Sequence, residues 1–271
     1  LSSLPTIGVF DSGVGGLTVL RELRRQLPSA RYLYLGDTAR LPYGSKSQAT
    51  IARYAVESAR LLVERGADYL VIACNTASAL ALDEIRAAVP VPVLGVIETG
   101  ADAAQARSRS HDVLVMATTA TVASHAYAAA CRDRGLRALE KACPLLVPLV
   151  EEGWCSHQVT REVLRIYLGE MTDAAEQAAM APDALVLGCT HYPLLRAEIE
   201  ALVPGSLAVI DSAEVTAAVV ARMFEKRTGP GPQAKPSIHC YATDGAERFR
   251  ALGSRFLGER IEQVTSVDLG G

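Results

Sequence analysis

Asp68-Tyr-Leu-Val-Ile-Ala-Cys-Asn-Thr76 and Asp183-Ala-Leu-Val-Leu-Gly-Cys-Thr-His191 repeat one pattern at an offset of 115 positions. Each has an acidic residue, a short apolar run, then a cysteine followed by two polar residues. A continuous run of this length, bounded by polar residues, reads as a strand buried on both faces, as in a parallel sheet. A looser echo pairs Val9-Phe-Asp-Ser12 with Val115-Met-Ala-Thr118. Any two buried strands share Leu and Val. They do not in general share a cysteine at the same end, so the echo points to a duplicated α/β half.

Outward from these two strands, β-branched runs alternate with longer amphipathic stretches. Thr6–Phe10, Arg31–Leu35, Tyr69–Ala73, Val91–Ile97, His111–Met116, Ala184–Leu187 and Leu207–Ile210 read as strands. Gly16–Gln26, Ser47–Arg65, Ala77–Ala88, Ala120–Arg134, Ser156–Ala181, Leu194–Leu202 and Ala213–Lys226 read as helices. Such alternation implies right-handed β-α-β crossovers and a mainly parallel sheet. Thr228–Pro236, rich in Gly and Pro, reads as a loop. The expected fold class is α/β, with two pseudo-symmetric three-layer α/β domains, mainly parallel sheets and a cleft between the domains.

The 271 residues suit two ordinary domains. With 49% hydrophobic and 21% charged residues, a disordered or fibrous chain is excluded. A net charge of −3 argues against a nucleic-acid partner. No apolar run approaches the ~18 residues that span a bilayer, and Leu1–Asp11 lacks the basic cluster of a secretory signal. The expectation is a cytoplasmic protein with no membrane partner.

Cys74, Cys131, Cys143, Cys155, Cys189 and Cys240 include no C-x-x-C pair, so neither a zinc knuckle nor a redox dithiol is expected. Ligands of open α/β sheets bind beyond the carboxyl ends of the strands, and Cys74 and Cys189 sit at two such ends. Each precedes a helix start, whose partial positive charge favours thiolate. Cys131 in a helix, Cys143 before Pro144, Cys155 after Trp154 and Cys240 in a late strand read as ordinary small hydrophobes.

Other polar clusters lie at the remaining strand ends. Asp11-Ser-Gly-Val-Gly-Gly16 approaches a dinucleotide fingerprint but has Thr18 where the third glycine belongs. Gly36-Asp-Thr-Ala-Arg-Leu-Pro-Tyr-Gly-Ser45 reads as a functional loop. Thr118-Thr-Ala-Thr121 suits either a helix cap or a ligand carboxylate. His191, two residues past Cys189, is placed to tune its protonation. Of the four lysines only Lys46 lies near such a loop, and a solvated role suits it better than a Schiff base. The five histidines are dispersed, so no metal is expected and no cofactor is implied. Two thiols from facing halves suit the inversion of a stereocentre, which needs a base on one face of the α-carbon and an acid on the other. Backbone N–H groups at Asn75–Thr76 and Thr190–His191 could hold the substrate carboxylate and stabilise carbanionic charge.

Gly8-Val-Phe-Asp-Ser-Gly-Val-Gly-Gly16, Gly36-Asp-Thr-Ala-Arg-Leu-Pro-Tyr-Gly44, Ala73-Cys-Asn-Thr-Ala77 and Gly188-Cys-Thr-His-Tyr-Pro193 together resemble the glutamate racemases of bacterial cell-wall synthesis. These cofactor-independent enzymes interconvert L- and D-glutamate. The resemblance implies Cys74 and Cys189 as the two catalytic acid/base residues, with Asp11 and His191 as auxiliary groups. It implies substrate binding by Asp11, Ser12, Pro42, Tyr43, Gly44, Asn75, Thr76, Thr190 and His191. Thr118, Thr121 and Glu151 match weaker family positions. It assigns Cys74 to D-glutamate and Cys189 to L-glutamate, and implies a homodimer. It also implies a first domain of residues 1–98 and 207–271 and a second of residues 99–206. The alternatives are a racemase of aspartate or another acid, a cysteine hydrolase using Cys189 and His191, and a binding role such as that reported for relatives toward DNA gyrase. Adjacency of Cys189 and His191 in sequence counts against the hydrolase.

Overall fold

The strands are apolar runs whose successive side chains enter different layers. In the computed structural model, which describes residues 5–224 and 237–270, Ile7 and Val9 enter one core and Phe10 another. The first half contains β1 (Thr6–Asp11), α1 (Leu17–Gln26), β2 (Arg31–Gly36), α2 (Gln48–Glu64), β3 (Tyr69–Ile72), α3 (Asn75–Leu80), α4 (Leu82–Ala88) and β4 (Val93–Gly95). Then come α5 (Val96–Arg107), β5 (Asp112–Ala117), α6 (Thr119–Ser124), α7 (Ala126–Arg132), β6 (Arg137–Ala142), α8 (Leu146–Glu151), α9 (Gln158–Gln177), β7 (Ala184–Gly188), α10 (Arg196–Glu200) and β8 (Ala208–Asp211). The chain ends through α11 (Ser212–Phe224), β9 (Ile238–Ala242), α12 (Ala246–Leu257) and β10 (Val264–Ser266).

Two sheets result, ordered β10-β9-β2-β1-β3-β4 and β6-β5-β7-β8, and their strands pair in parallel. The second sheet reproduces the β2-β1-β3-β4 core of the first in the same order. Phe10 pairs with Ile72 and Met116 with Leu187, so Cys74 and Cys189 leave their sheets two residues past equivalent rungs. Helices cover the sheets. α2 buries Ile51, Ala55, Ala59 and Leu62 in the core that holds Phe10 and Ile72. Val113, Val115, Val186 and Tyr127 form a core of the second sheet. A third core runs without a break from Val9, Leu20 and Phe256 to Met116 and Leu187, joining the halves.

Several elements differ from expectation, each for a reason beyond local sequence. The strand expected over Val91–Ile97 is only β4, because Val96 opens α5. Its N–H donates to Ser78 Oγ at 3.3 Å, a cap supplied from another helix. The helix expected over Ala77–Ala88 starts at Asn75 and breaks at Ala81. That over Ala120–Arg134 breaks at His125, which is left-handed at φ 54°. β6 is an edge strand whose Glu140 and Lys141 masked its pattern. α8 contains Pro148, tolerated because the first turn of a helix needs no N–H donor. β8 pairs with β7, so residues 208–211 lie in the second sheet rather than with the first unit. The expected loop Thr228–Pro236 falls outside the described residues. Among the described residues no helix is long and apolar enough to cross a membrane.

The halves meet where their strand-end turns touch. Thr18 Oγ1 donates to Thr190 O at 2.9 Å across the junction. A Cβ on Gly15 would overlap Thr190 Oγ1 and lie 2.6 Å from the His191 ring. The glycines of Asp11–Gly16 therefore serve close packing: Gly15 admits the opposite half, and Gly16 admits the Asp11 and Ala73 side chains. Gly15→Ala is expected to destabilise the fold by about 1–3 kcal/mol through overpacking, read from denaturant unfolding. An unchanged midpoint would show that the junction has slack.

Candidate active site

Beyond the carboxyl ends of both sheets lies a cleft of about 610 Å³, and both strand-end thiols line it. Asp11, Ser12, Pro42, Tyr43, Gly44, Asn75 and Thr76 come from the first half, and Thr118, Glu151, Thr190 and His191 from the second. Thr121 is fully buried behind Thr118 rather than on the cleft wall.

Cys74 caps α3, its sulfur accepting from the Ala77 N–H at 3.5 Å and lying 3.6 Å from Ser12 Oγ. Position at a helix start favours a thiolate here, and the surroundings of the sulfur work against it. Burial, reinforced by the nearby Asp11 carboxylate, pushes the Cys74 thiol up to about 12, outweighing the hydrogen bonds from Ala77 and Ser12. Asp11 accepts the Gly13 N–H at 2.8 Å on Oδ2, while its buried Oδ1 has no partner. Burial raises the Asp11 carboxyl against the opposing charge of His191.

The Cys189 side has different chemistry. Cys189 Sγ lies 4.0 Å from His191 Nδ1, and His191 Nε2 lies 3.0 Å from Glu151 Oε1. A turn in which the Tyr192 N–H donates to Cys189 O at 3.1 Å brings sulfur and ring together, so adjacency in sequence is no geometric obstacle. Burial opposes a charged His191, but hydrogen bonds to Cys189 and Glu151, with the charges of Cys189 and Asp11, raise it to about 10. The hydrogen bond from His191 holds Glu151 below the usual carboxylate range against its burial, helped by the charges of His191 and Arg248.

Hydroxyls bridge the halves. Thr76 Oγ1 lies 3.1 Å from Thr118 Oγ1 and 3.3 Å from Thr121 Oγ1, and those two are 2.9 Å apart. Thr118 also accepts the Thr121 N–H at 3.3 Å as the cap of α6, so it is both cap and cleft wall. Tyr127 donates to Asn75 Oδ1 at 2.8 Å, leaving Asn75 Nδ2 buried and without a partner.

The Pro42-Tyr43-Gly44 loop is anchored by Asp37, which the sequence left as one member of a loop. Buried Asp37 accepts from Tyr43 OH at 2.5 Å, Arg40 Nε at 3.0 Å and Thr243 Oγ1 at 2.9 Å. Leu41, Thr119, Pro144, Val147, Pro148, Glu152 and Arg248 also line the cleft. Arg248, on α12, had no motif to mark it. Cys131, Cys143 and Cys240 are buried and Cys155 half-buried; none lines the cleft. Among the described residues no His, Cys, Asp and Glu group is arranged to hold a metal ion.

Residues 7–220 match the Asp/Glu/Hydantoin racemase family. A glutamate racemase of Koribacter versatilis is 50% identical, with 98% of each chain covered. The crystal structure of a Francisella tularensis glutamate racemase in complex with D-glutamate superposes with a TM-score of 0.88. It is 33% identical, with 99% of each chain covered. A Thermus thermophilus glutamate racemase in complex with β-chloro-D-alanine gives 0.84 at 46% identity, covering 98% of this chain and 97% of the other.

The His191–Glu151 pair has a pH signature. A raised folded-state pKa means that its stabilisation is complete below about 6.5, the ordinary histidine value, and is lost as pH rises through about 10. An NMR titration of the His191 ring is expected to show a midpoint near 10 that falls in Glu151→Gln. A midpoint at or below 6.5 in the unaltered protein would mean that the ring is neutral at pH 7.

Proposed function

The chain belongs to the Asp/Glu/Hydantoin racemase family, and on that premise we propose that it interconverts L- and D-glutamate by a two-base mechanism without a cofactor. One observation carries this reading: a thiol from each half, at matching strand ends, lines a single cleft. The thiolate of one cysteine takes the α-proton, and the electron pair of the broken Cα–H bond stays on the carbon. The thiol opposite then delivers its proton to the other face. Nothing is oxidised or reduced; the two cysteines exchange protonation states and titrate as one unit.

The unlike surroundings of the thiols support the assignment of direction. Cys74, held up at about 12, is a proton donor in the resting protein. Cys189 Sγ instead faces the His191 ring at 4.0 Å, with Glu151 on the far side of that ring. Cys189 therefore removes the proton of L-glutamate and Cys74 completes D-glutamate, with the reverse for the D enantiomer. Asp11 Oδ1, a buried acceptor without a partner, suits the α-ammonium group, and Asn75 Nδ2, an unpaired donor, suits a carboxylate oxygen. Ser12, Thr76, Thr118, Thr190 and the Tyr43–Gly44 turn supply further polar groups, Pro42 shapes the wall, and Thr121 orients Thr118 and Thr76.

Family likeness supports D-glutamate supply for peptidoglycan, a cytoplasmic location and a homodimer. The two sheets support a division into residues 1–98 with the C-terminal segment, and a middle unit from residue 99 to the end of β8. Cys74→Ala and Cys189→Ala are each expected to lower racemisation by roughly 10²–10⁴-fold while circular dichroism and melting stay native-like. Near-normal turnover in either variant would rule out the two-base reading.

A further inference from the structure

α12 belongs with the first half, where Phe249, Phe256 and Leu257 are buried in the core that holds Leu17 and Leu20 of α1. Three of its side chains nevertheless act on the Glu151–His191 pair of the second half. Phe256, fully buried, stands 5.0 Å from the His191 ring at 79°, so one ring presents its edge to the face of the other. Arg255 Nη2 donates to Glu151 O at 2.6 Å, and Glu151 is the last residue of α8, where carbonyls lack partners within the helix. The chain past α8 makes room for this guanidinium. Gly153 has φ +80°, and a Cβ there would overlap Arg255 Nη1. Arg248 lines the cleft along with Glu151, and its charge helps keep that carboxylate ionised.

We propose that α12 is the positioning element of the Cys189 side of the site: Phe256 sets the plane of the His191 ring, and Arg255 holds the end of α8 so that Glu151 meets that ring. The proposal rests on the racemase reading for its kinetic consequence but not for its geometry. Because α12 comes with the first half, the acid/base group of the second half is complete only while the halves are together. Separating them removes Phe256 and Arg255 from the pair in one movement and disables Cys189 along with the cleft. The charged and titratable groups facing His191 are Cys189, Glu151 and Asp11, with Arg248 acting through Glu151.

The test uses the full chain with Arg255→Ala, Arg255→Lys and Phe256→Leu, following glutamate racemisation and, without substrate, the NMR titration of the His191 ring. Arg255→Ala and Phe256→Leu are expected to lower kcat by roughly tenfold to a hundredfold with KM little changed. Both are expected to move the His191 midpoint down, and Arg255→Lys to restore most of both. Arg255 is exposed, so its replacement reports even where Phe256→Leu fails to fold. Unchanged kcat and midpoint in a folded Arg255→Ala variant would overturn the proposal, as would equal losses in Arg255→Ala and Arg255→Lys. If the unaltered protein does not racemise glutamate yet Arg255→Ala moves the midpoint, the positioning role stands and the racemase reading falls.

Discussion

The contact on which the rest of the structure depends is the one between the strand-end turns at Gly15 and at Thr190–His191. There the backbone of one half lies against the side chains of the other, with no room for a Cβ. The Thr18–Thr190 hydrogen bond, the Thr76–Thr118–Thr121 hydroxyls and the Tyr127–Asn75 bond cross between the halves around it. Each is short-range, so none survives a separation of more than an ångström or so. With them in place, two thiols more than a hundred residues apart share one cleft.

Symmetry of backbone carries asymmetry of chemistry. β1 and β5 are equivalent strands, yet Asp11 ends one and Ala117 the other. A buried carboxylate beside Cys74 opposes negative charge on that sulfur, whereas a cationic ring held by Glu151 faces Cys189. Two equal thiols would share a proton without preference. The two thiols therefore meet one cleft from unlike surroundings, a carboxyl beside one and a ring held by a carboxylate beside the other.

What the sequence revealed depended on how local the cause was. β3 and β7 were legible because strands buried on both faces are continuous apolar runs, and the cysteines closing them were legible by repetition. A thiolate at Cys74 was a local inference from a helix start; burial in the core of its own half beside Asp11, a tertiary effect, works against it. α5 was missed because Val96 and Ile97 favour strands and its cap, Ser78, comes from another helix. β6 was missed because its charged residues pair with side chains of neighbouring elements. Arg248, Arg255 and Phe256 gave no signal at all, since their roles depend on where α12 docks.

The central claim, that two thiols act from opposite faces of one carbon, is tested most directly by following L-glutamate in deuterated water from the first turnovers. Two bases acting from opposite faces predict that D-glutamate formed early carries α-deuterium throughout, while the remaining L-glutamate keeps its protium. Early D-glutamate that retains the original α-proton would mean that a single group carries it from one face to the other, contradicting the account.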